Sequence, residues 1–311
     1  MLPFHRATII SLISALPVFG AANWSTDFEA SRLEAAEEGK SLLLDFTGSD
    51  WCGWCIKLRK EVFEQDGFDE GVEEDFVLVE LDYPQDKSKQ DKEVVEQNAE
   101  LLKRYPISGY PTILLCDSDG KPYAATGYRE GGPEVYLEHL DELLEKKSER
   151  DEALAAAGEK EGVAKARALI AVLDDLDLPK DITRSSYPDV AEAIRAADPS
   201  DETGFASKRA GEARFAEFMA DLGALRSKQD LDGVDKLIEE ALEDPLIQGE
   251  ERQQVYGHHA GTLASAGHFD KAITVLEKAV KEDPDGPRTK ELQDFIKILE
   301  TEKAKKEDSE P

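Results

Sequence analysis

Leu42-Leu43-Leu44-Asp45-Phe46-Thr47-Gly48-Ser49-Asp50-Trp51-Cys52-Gly53-Trp54-Cys55 decides how this chain folds. An apolar run of the kind that forms a buried strand leads through a short polar loop to two cysteines spaced C-x-x-C. At the start of a helix that spacing lets the two thiols close a small disulfide while the first stays accessible. The helix N-terminus favours the thiolate of Cys52 and makes it the attacking nucleophile at neutral pH. Cys55, one turn further in, attacks the resulting mixed disulfide and releases the reduced substrate. Zinc sites use the same cysteine spacing but need two more ligands, and no second C-x-x-C or paired His follows nearby. The expectation is therefore no metal and no cofactor beyond the redox-active Cys52–Cys55 disulfide.

Working outward, Ser25 or Thr26 is placed to cap a helix through Phe28, Leu33 and Ala36 that Gly39 ends. Ser41–Thr47 reads as the buried strand, and Leu58, Val62 and Phe63 fall on one side of the helix after the cysteines. Phe76–Leu81 reads as a second buried strand. The charged segment Gln85–Asn98 leads into a helix ending near Arg104. Thr112–Cys116 is a third strand, Asp117–Lys121 a turn rich in Asp and Gly, and Pro122–Tyr128 its hairpin partner. Pro133 then opens a helix carrying Val135, Leu137, Leu140 and Leu144.

Leu44-Asp45-Phe46 ahead of Trp51-Cys52-Gly53-Trp54-Cys55, with Gly109-Tyr110-Pro111-Thr112 downstream, resembles the thioredoxin superfamily over roughly Trp24 to Lys147. The element order α-β-α-β-α-β-β-α matches the α/β thioredoxin-like sandwich. The resemblance implies that Pro111 is the cis-proline against the active disulfide, which exposes the preceding backbone to an extended substrate segment and blocks metal binding. It implies that Asp45 is the buried acid beneath the site, desolvated and raised in pKa, which helps move the proton of Cys55. Trp51, Trp54 and Tyr110 join Pro111 as the substrate-contacting set, with Trp51 shielding the site and Trp54 exposed. Two departures stand out. The loop Thr47-Gly48-Ser49-Asp50 is one residue longer than in ordinary thioredoxins, and Gly53-Trp54 replaces their Gly-Pro. The W-C-G-W-C version resembles exported thioredoxin-like proteins of environmental bacteria. Replacing that Pro shifts the potential upward in this superfamily, so the direction of transfer is open, with reduction of protein disulfides the expected one.

The chain of 311 residues exceeds one such unit and predicts two domains, 21–148 thioredoxin-like and 149–311 helical. Beyond Lys146 strand signals vanish and Ala, Glu, Lys and Leu dominate. Two windows 38 residues apart correspond: Leu231, Val234, Ile238, Ala241 and Leu242 align with Phe269, Ala272, Leu276, Ala279 and Val280. The second window, Ala266 through Pro284, resembles the tetratricopeptide pattern, which makes residues 225–286 a tetratricopeptide-like repeat within a compact helical domain. The tail Thr301–Pro311 is charged and expected to fray.

A net charge of -30 repels phosphate backbones and anionic membranes, which excludes nucleic acid as a partner. At the N-terminus, His5 and Arg6 precede the apolar stretch Ala7–Phe19 and the small residues Gly20, Ala21 and Ala22, the pattern of a cleaved signal peptide over residues 1–20. That stretch is too short for a bilayer core that needs roughly 20 residues, so no transmembrane anchor is expected after cleavage. Export to a periplasmic or extracellular space follows. The implied partners are protein disulfide or thiol clients and a membrane electron donor or acceptor, because an oxidising compartment otherwise keeps the pair closed. The alternative is a binding or scaffold protein whose helical domain recruits partners. Cys116, at the end of an apolar run, reads as a buried core thiol. His258, His259 and His268 read as surface or packing residues, since adjacent histidines on a helix point apart.

Overall fold

In the computed structural model, which describes residues 23–309, the first helix begins two residues later than a Ser25 cap would set it and one later than a Thr26 cap would. Asp27 is the cap, accepting from the backbone N–H of Ala30 at 3.0 Å, and α1 runs Phe28–Glu38. Gly39 ends it in the left-handed region at φ 72°, as glycine does at many helix ends. Its buried face is Phe28, Ser31 and Ala35, whereas Leu33 and Ala36 are exposed. A stripe spaced three and four residues from Phe28 misses both.

Next come β1 (Ser41–Thr47) and α2 (Gly53–Leu58), which passes directly into a π-helical turn, Arg59–Phe63. The i→i+5 bond from Glu64 N to Arg59 O, 2.8 Å, widens that turn. Each residue then advances through a smaller angle, so Leu58, Val62 and Phe63 are all buried. The chain continues through α3 (Phe68–Val72) and β2 (Phe76–Asp82). A 3₁₀ turn (Lys87–Lys89), α4 (Lys92–Arg104), β3 (Thr112–Cys116), β4 (Pro122–Thr126) and α5 (Gly132–Gly158) follow.

The sheet order is β2-β1-β3-β4, with β1 parallel to β2 and the other pairs antiparallel. Alternation along β1 divides two cores. Leu43 packs with Leu58, Val62, Phe63, Ile113, Tyr136 and Leu140, on the face covered by the cysteine helix and α5. Leu42, Leu44 and Phe46 pack with Phe28, Val79, Leu101, Tyr105 and Cys116 on the other. Ser25 lies along the open edge of β2, giving its N–H to Leu78 O and taking that of Glu80.

Helix α5 continues well past Lys146, and α6 (Gly162–Asp175), α7 (Lys180–Ser186) and α8 (Pro188–Ala197) follow. Ile182 of α7 belongs to the second core of the sheet. By contact density the chain divides into two compact units between Ile194 and Arg195. The second unit holds α9 (Phe205–Ser227), α10 (Leu231–Glu243), α11 (Gly249–Ser265), α12 (Phe269–Glu282) and α13 (Thr289–Ser309). The aligned positions of the two windows share their burial: Val234, Ile238 and Ala241 in α10, Ala272, Leu276 and Ala279 in α12. Leu231, aligned with the half-buried Phe269, is exposed. The tail expected to fray from Thr301 is instead helical to Ser309. Among the described residues no helix is long and apolar enough to cross a membrane. The signal segment, residues 1–20, lies outside the described residues.

Candidate active site

The end of β1 delivers the chain into the loop Thr47–Asp50, and the extra residue there is accounted for by hydrogen bonds. Ser49 gives its backbone N–H and hydroxyl to the two carboxylate oxygens of Asp82, at 2.8 and 2.6 Å. Asp50 accepts from the backbone N–H groups of Gln85 and Asp86 at 2.9 and 3.2 Å. Cys52 N closes the turn on Gly48 O at 2.9 Å. Ser49 is thereby tied to the end of β2 and Asp50 to the segment that follows it. Gly48 is required by close approach: a Cβ there would lie 2.5 Å from the Trp51 indole.

Cys52 is the N-cap of α2 and is disulfide-bonded to Cys55. Its Sγ accepts the Cys55 backbone N–H at 3.2 Å, which is the donor that would hold a Cys52 thiolate after reduction. In the closed disulfide Cys52 is 6% exposed and Cys55 3%, so the expected accessibility of the first sulfur is narrow. The Tyr110–Pro111 peptide bond is cis.

Beneath the cysteine helix lies a layer of charge in an otherwise apolar face. Asp45 shares the parity of Leu43 on β1, and its register partners are Glu80 on β2 and Ile113 on β3. It is 2% exposed and its Oδ1 accepts no hydrogen bond. Burial pushes its carboxyl up to about 8; Glu80 adds to the rise, Arg59 opposes it and Asp82 adds again. Arg59, the first residue of the π turn, pairs with Glu80 at 2.6 Å. Neither Arg59 nor Glu80 stands out in the motif. The signal for Glu80 is periodicity, since it follows Phe76 and Leu78 on the inward face of a buried strand.

Two aromatic groups flank the cysteines. Trp51 donates its indole N–H to Tyr83 O at 2.8 Å and meets the Tyr110 ring edge-on at 5.3 Å between centroids. Tyr110 in turn lies 5.7 Å from Tyr83. On the other side Trp54 contacts Tyr128 at 5.3 Å, with the Lys57 ammonium 4.7 Å from the Tyr128 ring. Trp51 and Trp54 are both exposed, at 43% and 58%. Tyr128, Lys57 and Tyr83 join the surface through folding and carry no local signature of it.

Cys116 is a free, fully buried thiol, and burial raises its pKa well above the ordinary value. His258 and His259 lie on α11, half-buried and lowered in pKa first by desolvation. Among the described residues no group of His, Cys, Asp and Glu is arranged to hold a metal.

The family model described as a thioredoxin-like domain matches residues 28–144. The disulfide bond reductase DsbH of Chlamydia pneumoniae is 33% identical over 141 residues, covering 45% of this chain and 84% of that protein. The thioredoxin-related protein DsbJ of the same organism is 33% identical over 121 residues, 36% of this chain and 34% of that one. The thiol:disulfide interchange protein DsbD of Actinobacillus pleuropneumoniae is 30% identical over 111 residues, 35% of this chain but 17% of that one. A solved structure of DsbH oxidoreductase is 29% identical, covers 44% of this chain and 95% of that chain, and superposes with a TM-score of 0.39.

Proposed function

This chain belongs to the thioredoxin-like family of thiol–disulfide oxidoreductases, and on that premise we propose that it is an exported reductase of protein disulfides working through Cys52 and Cys55. The observation that carries the reading is the Cys52–Cys55 disulfide at the N-terminus of α2, over a strand whose inward-facing acid is Asp45. The reductive direction is supported by the name of DsbH, a relative spanned over 84% of its length. Export is supported by the apolar stretch Ala7–Phe19 with its small-residue boundary.

The cycle starts from the dithiol. The Cys52 thiolate attacks one sulfur of a client disulfide, and the other client sulfur leaves as a thiolate. Cys55 then gives its proton to Asp45 and attacks Cys52 Sγ, so that the Cys52–client bond breaks and the second client thiolate leaves. Two electrons have passed to the client, and the pair is a disulfide again. Trp51, Trp54, Tyr110 and Pro111 form the contact surface for the client segment. The chain draws its electrons from a dithiol donor, in an oxidising compartment one fed across the membrane. The helical region, with its tetratricopeptide-like pattern at residues 225–286, is the place for client or partner docking.

Thiol trapping of the purified protein across dithiothreitol and glutathione buffers tests the direction. A potential near about -270 mV is expected of a reductant, whereas one between about -120 and -180 mV would make the protein an oxidase or isomerase. In parallel, Cys55→Ser should accumulate Cys52–client mixed disulfides and Cys52→Ser should not. Absence of any trapped client from the first variant would sink the assignment.

A further inference from the structure

Adjacent parallel strands place Asp45 and Glu80 side by side on one face of the sheet, about 4.8 Å apart along the hydrogen-bonding direction. Two carboxylates that close repel, and the one with less water gives up its charge first. Asp45 is buried, while the Glu80 side chain keeps 20% of its surface in solvent and holds the Arg59 guanidinium at 2.6 Å. Arg59 can reach Glu80 because the π turn begins at that residue, directly after the helix bearing Cys55. We infer that the Arg59–Glu80 ion pair is a positioning pair that sets the pH at which Asp45 takes the Cys55 proton. The inference rests on Asp45 being the proton acceptor, as proposed above.

Other groups facing Asp45 leave the balance to this pair. From β2 come Glu80 and Asp82, from the π turn Arg59 and from α5 the neutral phenol of Tyr136. Its register neighbour on β3, Ile113, is apolar. Asp82 is already engaged by Ser49 at 2.6 and 2.8 Å. Glu80 alone would hold Asp45 protonated and unable to accept. Arg59 alone would lower it toward the ordinary carboxylate range, against the rise that burial imposes. Bound to each other, they leave Asp45 between those limits.

The proton step can be isolated in the full-length protein. The chain, reduced with dithiothreitol and freed of it, is mixed with dithiobis-nitrobenzoate. One coloured thiolate leaves as Cys52 attacks, at a rate that scales with the reagent. The second leaves as Cys55 displaces it from Cys52, at a rate independent of the reagent, while the Cys55 proton passes to Asp45. The pH midpoint of this second phase is the readout. Glu80→Gln should lower it by about one unit and Arg59→Gln raise it by about one unit, roughly tenfold in rate on the sloping limb. Arg59→Lys, which keeps the charge, should stay close to wild type, and the Arg59→Gln/Glu80→Gln double variant should return toward it.

Midpoints that do not move, or that move in the same direction for both single variants, overturn the inference. If Glu80→Gln fails to fold, Arg59→Gln decides alone: an upward shift supports the pair, no shift or a downward one refutes it. Asp45→Asn separates the two levels. A limb displaced in Asp45→Asn to the ionisation of Cys55 itself, with unmoved midpoints in the pair variants, rejects the pair and keeps Asp45 as acceptor. A limb in Asp45→Asn that keeps the wild-type midpoint rejects Asp45 and the pair together, because the Cys55 thiolate then forms without reference to Asp45.

Discussion

Asp45 occupies a strand position that its neighbours Leu43 and Ile113 would fill with an apolar side chain, and its Oδ1 accepts no hydrogen bond. Such a group costs stability whenever it is charged. Unfolded, it ionises near 3.8; folded, near 8. Between those values the unfolded chain has shed a proton that the folded chain retains, so stability falls as pH rises through that window and levels off above it. Asn at this position has no proton to lose. Asp45→Asn should therefore match wild type near pH 4 and exceed it by a few kcal/mol near pH 8, an order-of-magnitude figure from a pKa displaced by several units. Melting curves at the two pH values check this; a constant difference would mean that Asp45 ionises normally. The disulfide-bonded pair Cys52 and Cys55 and the buried carboxyl of Asp45 stand in the motif itself. Arg59 and Glu80 do not, because their significance lies in a cross-strand register and a π turn that spacing does not encode.

At the scale of elements, the order from α1 to α5 was readable apart from the five-residue α3, because each longer apolar run has a Gly, Pro or Asp boundary. The errors were of phase and extent. Asp27 is the cap, and the stripe that includes the buried Phe28 runs through Ser31 and Ala35 and leaves Leu33 exposed. Helix α5 runs on to Gly158 and buries Arg150 past the point where the composition changes. The Arg150 side chain is 4% exposed, pairs with Asp117 at 3.0 Å and Asp151 at 2.7 Å, and donates to the Tyr187 hydroxyl at 3.2 Å. A polar residue in a charged helix looks solvated until the β3–β4 turn is folded against it. Removing the guanidinium takes the cation from Asp117 Oδ2. Oδ1 keeps the backbone N–H groups of Asp119 and Lys121 and 19% of the side chain stays in water, so the removal costs less than stripping a fully buried partner. Arg150→Ala should lose about 3 kcal/mol by denaturant titration. Arg150→Lys should recover only a small part, since an ammonium cannot span the same fork of acceptors. A loss under about 0.5 kcal/mol, the level of an ordinary surface change, would refute the network's importance.

For the whole molecule, the place where strands stop and the place where contacts thin are different. Composition changes after Lys146, yet the compact units divide between Ile194 and Arg195. The intervening helices explain the gap: Ile182 is fully buried in the second core of the sheet, and the Tyr187 hydroxyl donates to Pro122 O at 2.6 Å. A chain ending at Glu149 loses Arg150, Ile182 and Tyr187 together and exposes apolar surface of the sheet's second face. Deleting a buried Ile costs about 2–5 kcal/mol even when a methyl remains, and loss of the ion pair adds to it. At about 2–4 °C per kcal/mol for a unit of this size, its melting temperature should fall by 10 °C or more below that of a chain ending at Ile194. The longer fragment should keep both phases of thionitrobenzoate release at full-length rates, because every group placed around Cys52 lies before Ile194. Equal melting temperatures for the two fragments would put the functional boundary back near residue 148 and reduce α6–α8 to a passive extension. A longer fragment that loses the second phase would instead make the helices beyond Arg195 part of the redox machinery.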